Sequence, residues 1–172
     1  MQKREAAATF EGNPLTLVGP ELSEGDKAPD AVVLDTDLNE VRLSDFGDKV
    51  RIVLAVPSLD TPVCDAEARR FNEEAAGLGD DVTVLTISMD LPFAQKRWCS
   101  AAGIERVKTL SDHRDAAFGE AYGVLIDELR LLARTVFVVD RGDMIRYVQR
   151  VKEITHEPDY DEVLQAARDL TK

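Results

Sequence analysis

A chain of 172 residues, 44% of them hydrophobic, is long enough for one domain with a sizeable core and has the composition of a globular protein. Its formal net charge of −12 argues against nucleic acid and anionic membranes as partners, because both are bound by clustered Lys and Arg. No apolar run approaches the ~20 residues of a membrane span, and the stretch from Met1 to Thr9 lacks the apolar core of a signal peptide, so a single domain over residues 1–172 in the cytoplasm is expected.

In chain order, Thr9 to Glu11 and Leu15 to Val18 flank Gly12-Asn13-Pro14, which predicts an N-terminal hairpin over about residues 9–18. Gly25 to Pro29 is a loop, Ala31 to Leu34 and Glu40 to Leu43 are short extended pieces, and Ser44 to Gly47 is a turn or single helical turn. Val50 to Val56 reads as a buried strand and Asp65 to Leu78 as a helix that stops near Gly77-Leu78-Gly79. Val82 to Ser88 is almost continuously apolar or β-branched, the pattern of a strand buried on both faces. Pro92 opens a helix to about Ala102, closed by Gly103. Val107 to Leu110 is a short strand, Ala116 to Tyr122 a short helix ended by Gly123, and Thr135 to Val139 a strand. Arg141-Gly142-Asp143 turns into a partner strand, Met144 to Val151, and Tyr160 to Leu170 is an amphipathic helix with Val163, Leu164, Ala167 and Leu170 on its apolar side.

Two cysteines and two histidines bound the chemistry. No Cys-x-x-Cys pair is present, and Cys64, Cys99, His113 and His156 lack the paired spacings of a zinc site, so no metal and no cofactor is expected. His113 and His156 lie in polar, loop-like contexts and read as surface residues rather than bases. In a reducing compartment a cysteine pair is more often catalytic or redox-sensing than structural.

Cys64 follows a strand and the turn Pro57-Ser58-Leu59-Asp60-Thr61. Thr61 suits the N-cap and Pro62 the first helical position, which makes Cys64 the third helical residue. Unpaired N–H groups and the positive end of the helix dipole favour thiolate over thiol there. Cys64, Ala68, Phe71, Ala75 and Leu78 form the core-facing stripe, so Cys64 should sit at the floor of a small pocket. From helix position alone, Cys64 reads equally as a reactive thiolate or as a small core hydrophobe.

The string Pro57-Ser58-Leu59-Asp60-Thr61-Pro62-Val63-Cys64 resembles the peroxidatic motif of the peroxiredoxins, in the form found in their thiol peroxidase subfamily. Three further stretches match: Gly12 to Gly19, Leu131-Leu132-Ala133-Arg134, and Glu153-Ile154-Thr155 with Glu157-Pro158-Asp159-Tyr160. The resemblance covers the chain from about Thr9 to the last helix. It implies an α/β thioredoxin fold, a central mixed sheet flanked by helices, extended by the N-terminal β-hairpin. The element order from Val50 onward agrees, with one short strand and helix inserted.

The resemblance also implies the site. Cys64 would be the nucleophile. Thr61 would aim its hydroxyl at the thiolate or the peroxide, beside its plain role as N-cap. Pro57 would shield the pocket, beside its plain role of ending the strand. Arg134 would hold the thiolate and a peroxide oxygen, where the bare sequence offers a surface arginine. Cys99 would be the resolving cysteine of an atypical two-cysteine enzyme, forming an intramolecular disulfide with Cys64; without the family it reads as a core cysteine beside Trp98. Hydrogen peroxide and organic hydroperoxides are the implied substrates, thioredoxin or a similar protein the implied reductant, and a homodimer the implied assembly. Two rivals use the same residues: a redox sensor that signals without turnover, and an interaction module with inert cysteines.

Overall fold

The computed structural model describes residues 1–102 and 107–171, and the side chains of Val63, Cys64, Glu67, Ala68, Ala75, Ala76 and Ala102 lie outside that description. In chain order the described residues form β1 (Lys3–Phe10), β2 (Asn13–Val18), β3 (Val32–Leu34), β4 (Glu40–Arg42), a 3₁₀ turn (Leu43–Phe46), β5 (Val50–Ala55), α1 (Pro62–Leu78), β6 (Val82–Ser88), α2 (Pro92–Ala102), β7 (Val107–Ser111), α3 (Ala117–Ala121), β8 (Leu125–Ile126), β9 (Thr135–Val139), β10 (Ile145–Arg150) and α4 (Tyr160–Asp169).

Seven strands make the central sheet in the order β10-β9-β5-β6-β7-β3-β4. The inner strands β5, β6 and β9 are buried along their whole length. Their β-branched and apolar runs have no polar face, which suits a sheet covered on both sides. β5 pairs β6, and β6 pairs β7, in parallel, while β9 runs antiparallel to β5. The sheet is therefore mixed.

Alternation along the strands sorts side chains to two cores. One face carries Val50, Ile52, Leu54, Val82, Val84, Val136 and Val138, packed by Phe71 of α1 and by Val163, Leu164 and Ala167 of α4. The other carries Val53, Ala55, Leu85, Ile87, Phe137 and Val139, packed by Phe118 and Tyr122 of the α3 segment. The expected stripe of α1 is present where it is described: Phe71 is fully buried and Leu78 half-buried. Its other members, Cys64, Ala68 and Ala75, lie outside the described side chains, and the expected stop of α2 at Gly103 lies outside the described residues. α4 begins as its sequence suggests, with the Asp159 carboxylate accepting from the Glu162 N–H at 3.2 Å.

The N-terminal hairpin is longer than expected, beginning at Lys3 rather than Thr9. Lys-Arg-Glu-Ala-Ala-Ala favours helix locally, and tertiary pairing overrides that preference. β1 pairs β2 with a register shift between Arg4 and Ala8, where Ala6 takes a positive φ of 54°. The Arg4 guanidinium donates to the carbonyls of Gly19 and Gly123. β2 in turn pairs β8, a two-residue strand absent from the sequence reading. Gly19 and Gly123 permit that approach: both have positive φ, and a Cβ on either would run into backbone of the opposite segment, Glu120 or Pro20.

The hairpin is tied to the rest of the domain by Glu153. Its carboxylate accepts from the Thr9 hydroxyl (2.9 Å), the Glu11 and Gly12 N–H groups (3.1 and 2.9 Å), and the Thr155 N–H and hydroxyl (3.1 and 2.7 Å). These donors, the Gly12 N–H above all and then the Thr155 hydroxyl, hold its pKa down at about 2.

Candidate active site

β5 ends at Ala55, and the Val56 N–H still bonds the Ile87 carbonyl of β6 at 3.0 Å. Pro57 and Leu59 are buried, Ser58 and Thr61 half-buried, and Asp60 and Pro62 exposed, so the turn lies at the surface with two side chains packed inward. The Thr61 carbonyl accepts from the Asp65 N–H at 3.0 Å, the first intrahelical bond of α1, which makes Thr61 the N-cap and Pro62 the first helical residue. Cys64 is thus the third residue of α1, in the turn whose N–H groups have no intrahelical acceptor. The Thr61 hydroxyl donates to the Ser58 carbonyl at 3.4 Å.

Arg134 reaches this place from the other strand. Ala55 pairs with Thr135 across β5 and β9, so Arg134, one residue before Thr135, stands at the strand end from which the Pro57 turn departs. It is not a surface residue: 2% of it is exposed. Its Nε donates to the Ile154 carbonyl at 3.1 Å, and its own carbonyl accepts from the Val151 N–H at 3.1 Å. The Glu153-Ile154-Thr155 segment therefore serves both Arg134 and the hairpin. The backbone brings Pro57, Thr61, Cys64 and Arg134 to one end of the sheet.

Cys99 lies on a different helix, as the eighth residue of α2. It is half-buried, with Sγ 3.3 Å from the Thr109 hydroxyl of β7. Burial pushes its thiol pKa up, and the Thr109 contact partly offsets this. The thiol borders a cleft of about 430 Å³ that Lys96, Ser100, Asp35 and Lys108 also line. His156 is exposed, and His113 is half-buried. Among the described residues no group of three or more His, Cys, Asp or Glu could hold a metal ion, and no helix is long and apolar enough to cross a membrane.

Comparison with known proteins fits this arrangement. The Redoxin family model matches residues 23–164. A thiol peroxidase of Halalkalibacterium halodurans is 60% identical over 163 residues, 95% of this chain and 98% of that one. A thiol peroxidase of Bacillus subtilis is 58% identical, over 97% of this chain and 99% of that one. The crystal structure of a peroxiredoxin-like protein from Aquifex aeolicus superposes with a TM-score of 0.90 at 48% identity, covering 96% of this chain and 98% of that one. The chain belongs to the redoxin family, in its thiol peroxidase group. It is a peroxiredoxin enzyme, an oxidoreductase that reduces peroxide with thiols, on a thioredoxin-like fold.

Two features around the peroxiredoxin turn escaped the sequence reading. The first is Asp90, between β6 and α2. Its carboxylate accepts from the Ser58 hydroxyl (2.7 Å), the Leu59 N–H (2.8 Å) and the Ser88 hydroxyl (2.8 Å). Ser88 is in turn bonded by the Gln95 amide at 3.0 Å, whose nitrogen also donates to the Leu110 carbonyl at 2.9 Å. The only hint in sequence is a Ser-x-Asp at a strand end ahead of a helix-opening proline. The second is a bond between the cysteine-bearing helices: Trp98 Nε1 donates to Asp65 Oδ1 at 3.2 Å. Asp65 follows Cys64 and Trp98 precedes Cys99. The Trp98 ring packs on Val56 and Leu59.

Proposed function

We propose that this peroxidase works through a Cys64 thiolate and a Cys99 resolving thiol, supported by Thr61, Arg134 and Pro57. The reading rests above all on the β5–β9 register, which sets a buried arginine at the strand end where the Cys64 helix begins. The Cys64 sulfur attacks the terminal oxygen of a hydroperoxide. The S–O bond forms, the O–O bond breaks, and the departing oxygen takes a proton to leave as water or an alcohol. Cys64 is oxidised to a sulfenic acid. The helix terminus ionises the thiol, and Arg134 stabilises charge as it develops on the oxygens. Thr61 caps the helix and presents its hydroxyl beside the nucleophile, and buried Pro57 keeps bulk water from the turn.

The Cys99 sulfur then attacks the sulfenic sulfur. An S–S bond forms, the S–O bond breaks, and water leaves. A disulfide needs Cα atoms within roughly 7 Å, and the two cysteines lie on separate helices joined by the Trp98–Asp65 bond. If the reduced pair starts beyond that reach, the disulfide forms with local unwinding of one or both helices. A thioredoxin-type dithiol restores both thiols by two exchange steps and is itself oxidised. Hydrogen peroxide and organic hydroperoxides are the substrates in this reading. The enzyme is a cytoplasmic homodimer in the same reading, for which exposed Leu91 and Phe93 at the start of α2 offer apolar surface.

One equivalent of hydrogen peroxide should remove both thiols by mass, as a single Cys64–Cys99 disulfide. Cys64→Ser should not react, and Cys99→Ser should react once and then lose thioredoxin-linked turnover. Normal turnover by Cys99→Ser would remove Cys99 from the mechanism. A single oxidation without steady-state turnover would favour the redox sensor. Equal hydrogen-exchange protection around both cysteines in the two redox states would rule out unwinding.

A further inference from the structure

We propose that Asp90 is a positioning residue for the peroxide step, holding the Pro57–Thr61 turn so that α1 starts where Arg134 can serve it. This rests on the reading of Cys64 as the nucleophile.

The direction of each bond follows from its neighbours. The Ser88 hydroxyl lies 3.0 Å from the Gln95 amide nitrogen and 3.3 Å from the Asp90 N–H, both of which donate to it. Its one proton is left for Asp90. The Gln95 amide is oriented by the Leu110 carbonyl, which can only accept. The Ser58 hydroxyl likewise accepts from the Asp60 N–H at 3.1 Å and gives its proton to Asp90. The Leu59 N–H is a donor by nature. Three donors thus converge on one carboxylate, two of them from the turn and one from the end of β6.

The base of this clamp is rigid. Ser88 and Gln95 are fully buried, and the Ser111 hydroxyl of β7 donates to the Asp90 carbonyl. Among the described residues the turn has no strand partner beyond Val56, so besides the Trp98 packing on Leu59 it is the Asp90 hydrogen bonds that tie Ser58 and Leu59 to the end of β6. Thr61, whose hydroxyl bonds the Ser58 carbonyl, inherits that placement. Catalytic groups displaced by about 1 Å lose as much as 10²-fold in rate, so a residue that touches neither peroxide nor thiol can still set the first step.

The test uses the Cys99→Ser full-length protein and follows its single reaction with hydrogen peroxide by stopped flow. Asp90→Ala should slow that step about 10- to 100-fold. Asp90→Asn can accept from Leu59 and Ser88 through its oxygen and donate to Ser58 through its nitrogen, so it should recover most of the rate. Ser58→Ala, a milder change that guards against misfolding of Asp90→Ala, should slow the step severalfold. In the protein with both cysteines, Asp90→Ala should leave reduction of the Cys64–Cys99 disulfide by dithiothreitol within about twofold, which a general loss of structure would not. An unchanged peroxide rate in folded Asp90→Ala, with Cys64→Ser inert, overturns the clamp alone. Reaction of Cys64→Ser with peroxide overturns the clamp together with the nucleophile it was to position. Failure of Asp90→Asn to recover the rate also overturns the geometric account.

Discussion

The turn entering α1 and the later turns of α2 each carry one cysteine, but they are anchored differently. Ahead of Cys64 the chain is buried at Pro57 and Leu59, fixed by Asp90, and flanked by an arginine at 2% exposure. Around Cys99, α2 is held by a sulfur–hydroxyl contact to Thr109, by the Trp98 indole bond to Asp65 and its packing on Val56 and Leu59, and, one turn earlier, by the Gln95 bonds to Ser88 and Leu110. Burial raises the Cys99 pKa, whereas the backbone at Cys64 favours the anion. On the proposed reading the first region meets the peroxide, and the second stays a thiol until the first has been oxidised. Motion that closes a disulfide should then come mainly from the part of α2 beyond the Gln95 anchor.

The sharpest way to break this comparison is at Arg134. Arg134→Met should lower the peroxide rate constant about 10²- to 10³-fold, the usual cost of removing a preorganised donor from developing negative charge. Arg134→Lys should not restore it, because Nε is committed to the Ile154 carbonyl and an ammonium cannot make that bond and face the turn at once. Stopped-flow peroxide oxidation measures both. A rate within threefold of wild type in Arg134→Met would place the arginine among purely structural residues.

Next in size is the bond between the helices. Trp98→Phe keeps the packing on Val56 and Leu59 but loses the donor to Asp65. A half-exposed bond of this kind is worth about 1 kcal/mol, or about fivefold in a rate. Disulfide closure after Cys64 oxidation should therefore speed up by that factor, with the peroxide step unchanged. Slower closure would mean that the indole guides the approach of Cys99 instead of restraining it.

These residues also mark what could be read from sequence. β6 and β9 were legible to the residue, because a β-branched run buried on both faces leaves no competing period. The start of α1 was legible because N-cap threonine and first-turn proline act locally. β8 was not: two residues between Gly123 and an acidic turn carry no period, and its pairing with β2 bridges more than a hundred positions. Arg134 was found only through the family motif, since its burial depends on the β5–β9 register. Asp90 and Trp98 act through contacts 31 to 33 residues away, which no local pattern encodes.

A pH series probes the opposite end of the comparison, the hairpin that backs Arg134. The Glu153 carboxyl is held at about 2, below the ordinary glutamate value of 4.5, so its contribution is complete above pH 4.5 and is lost as pH falls toward 2. Glu153→Gln should lower the melting temperature at pH 7, and the gap from wild type should shrink steadily between pH 4.5 and 3. A gap that stayed constant with pH would mean that Glu153 acts through packing rather than through its charge.

The smallest effect belongs to Thr109. Thr109→Val is nearly isosteric and removes only the hydroxyl 3.3 Å from the Cys99 sulfur. That contact lowers a thiol pKa which burial raises, so its loss should move Cys99 further up. At neutral pH the reactive thiolate becomes scarcer, and disulfide closure should slow by less than about fivefold, in keeping with a contact worth under ~1 kcal/mol. The deficit should shrink as pH rises and the Cys99 thiolate becomes more abundant in both proteins. Measuring closure from pH 6 to 10 in both proteins separates the two ways Thr109 could act. A deficit confined to low pH means that it tunes the thiol. A deficit at every pH means that Thr109 instead positions Cys99 for the attack, and α2 would then be less free than the comparison holds.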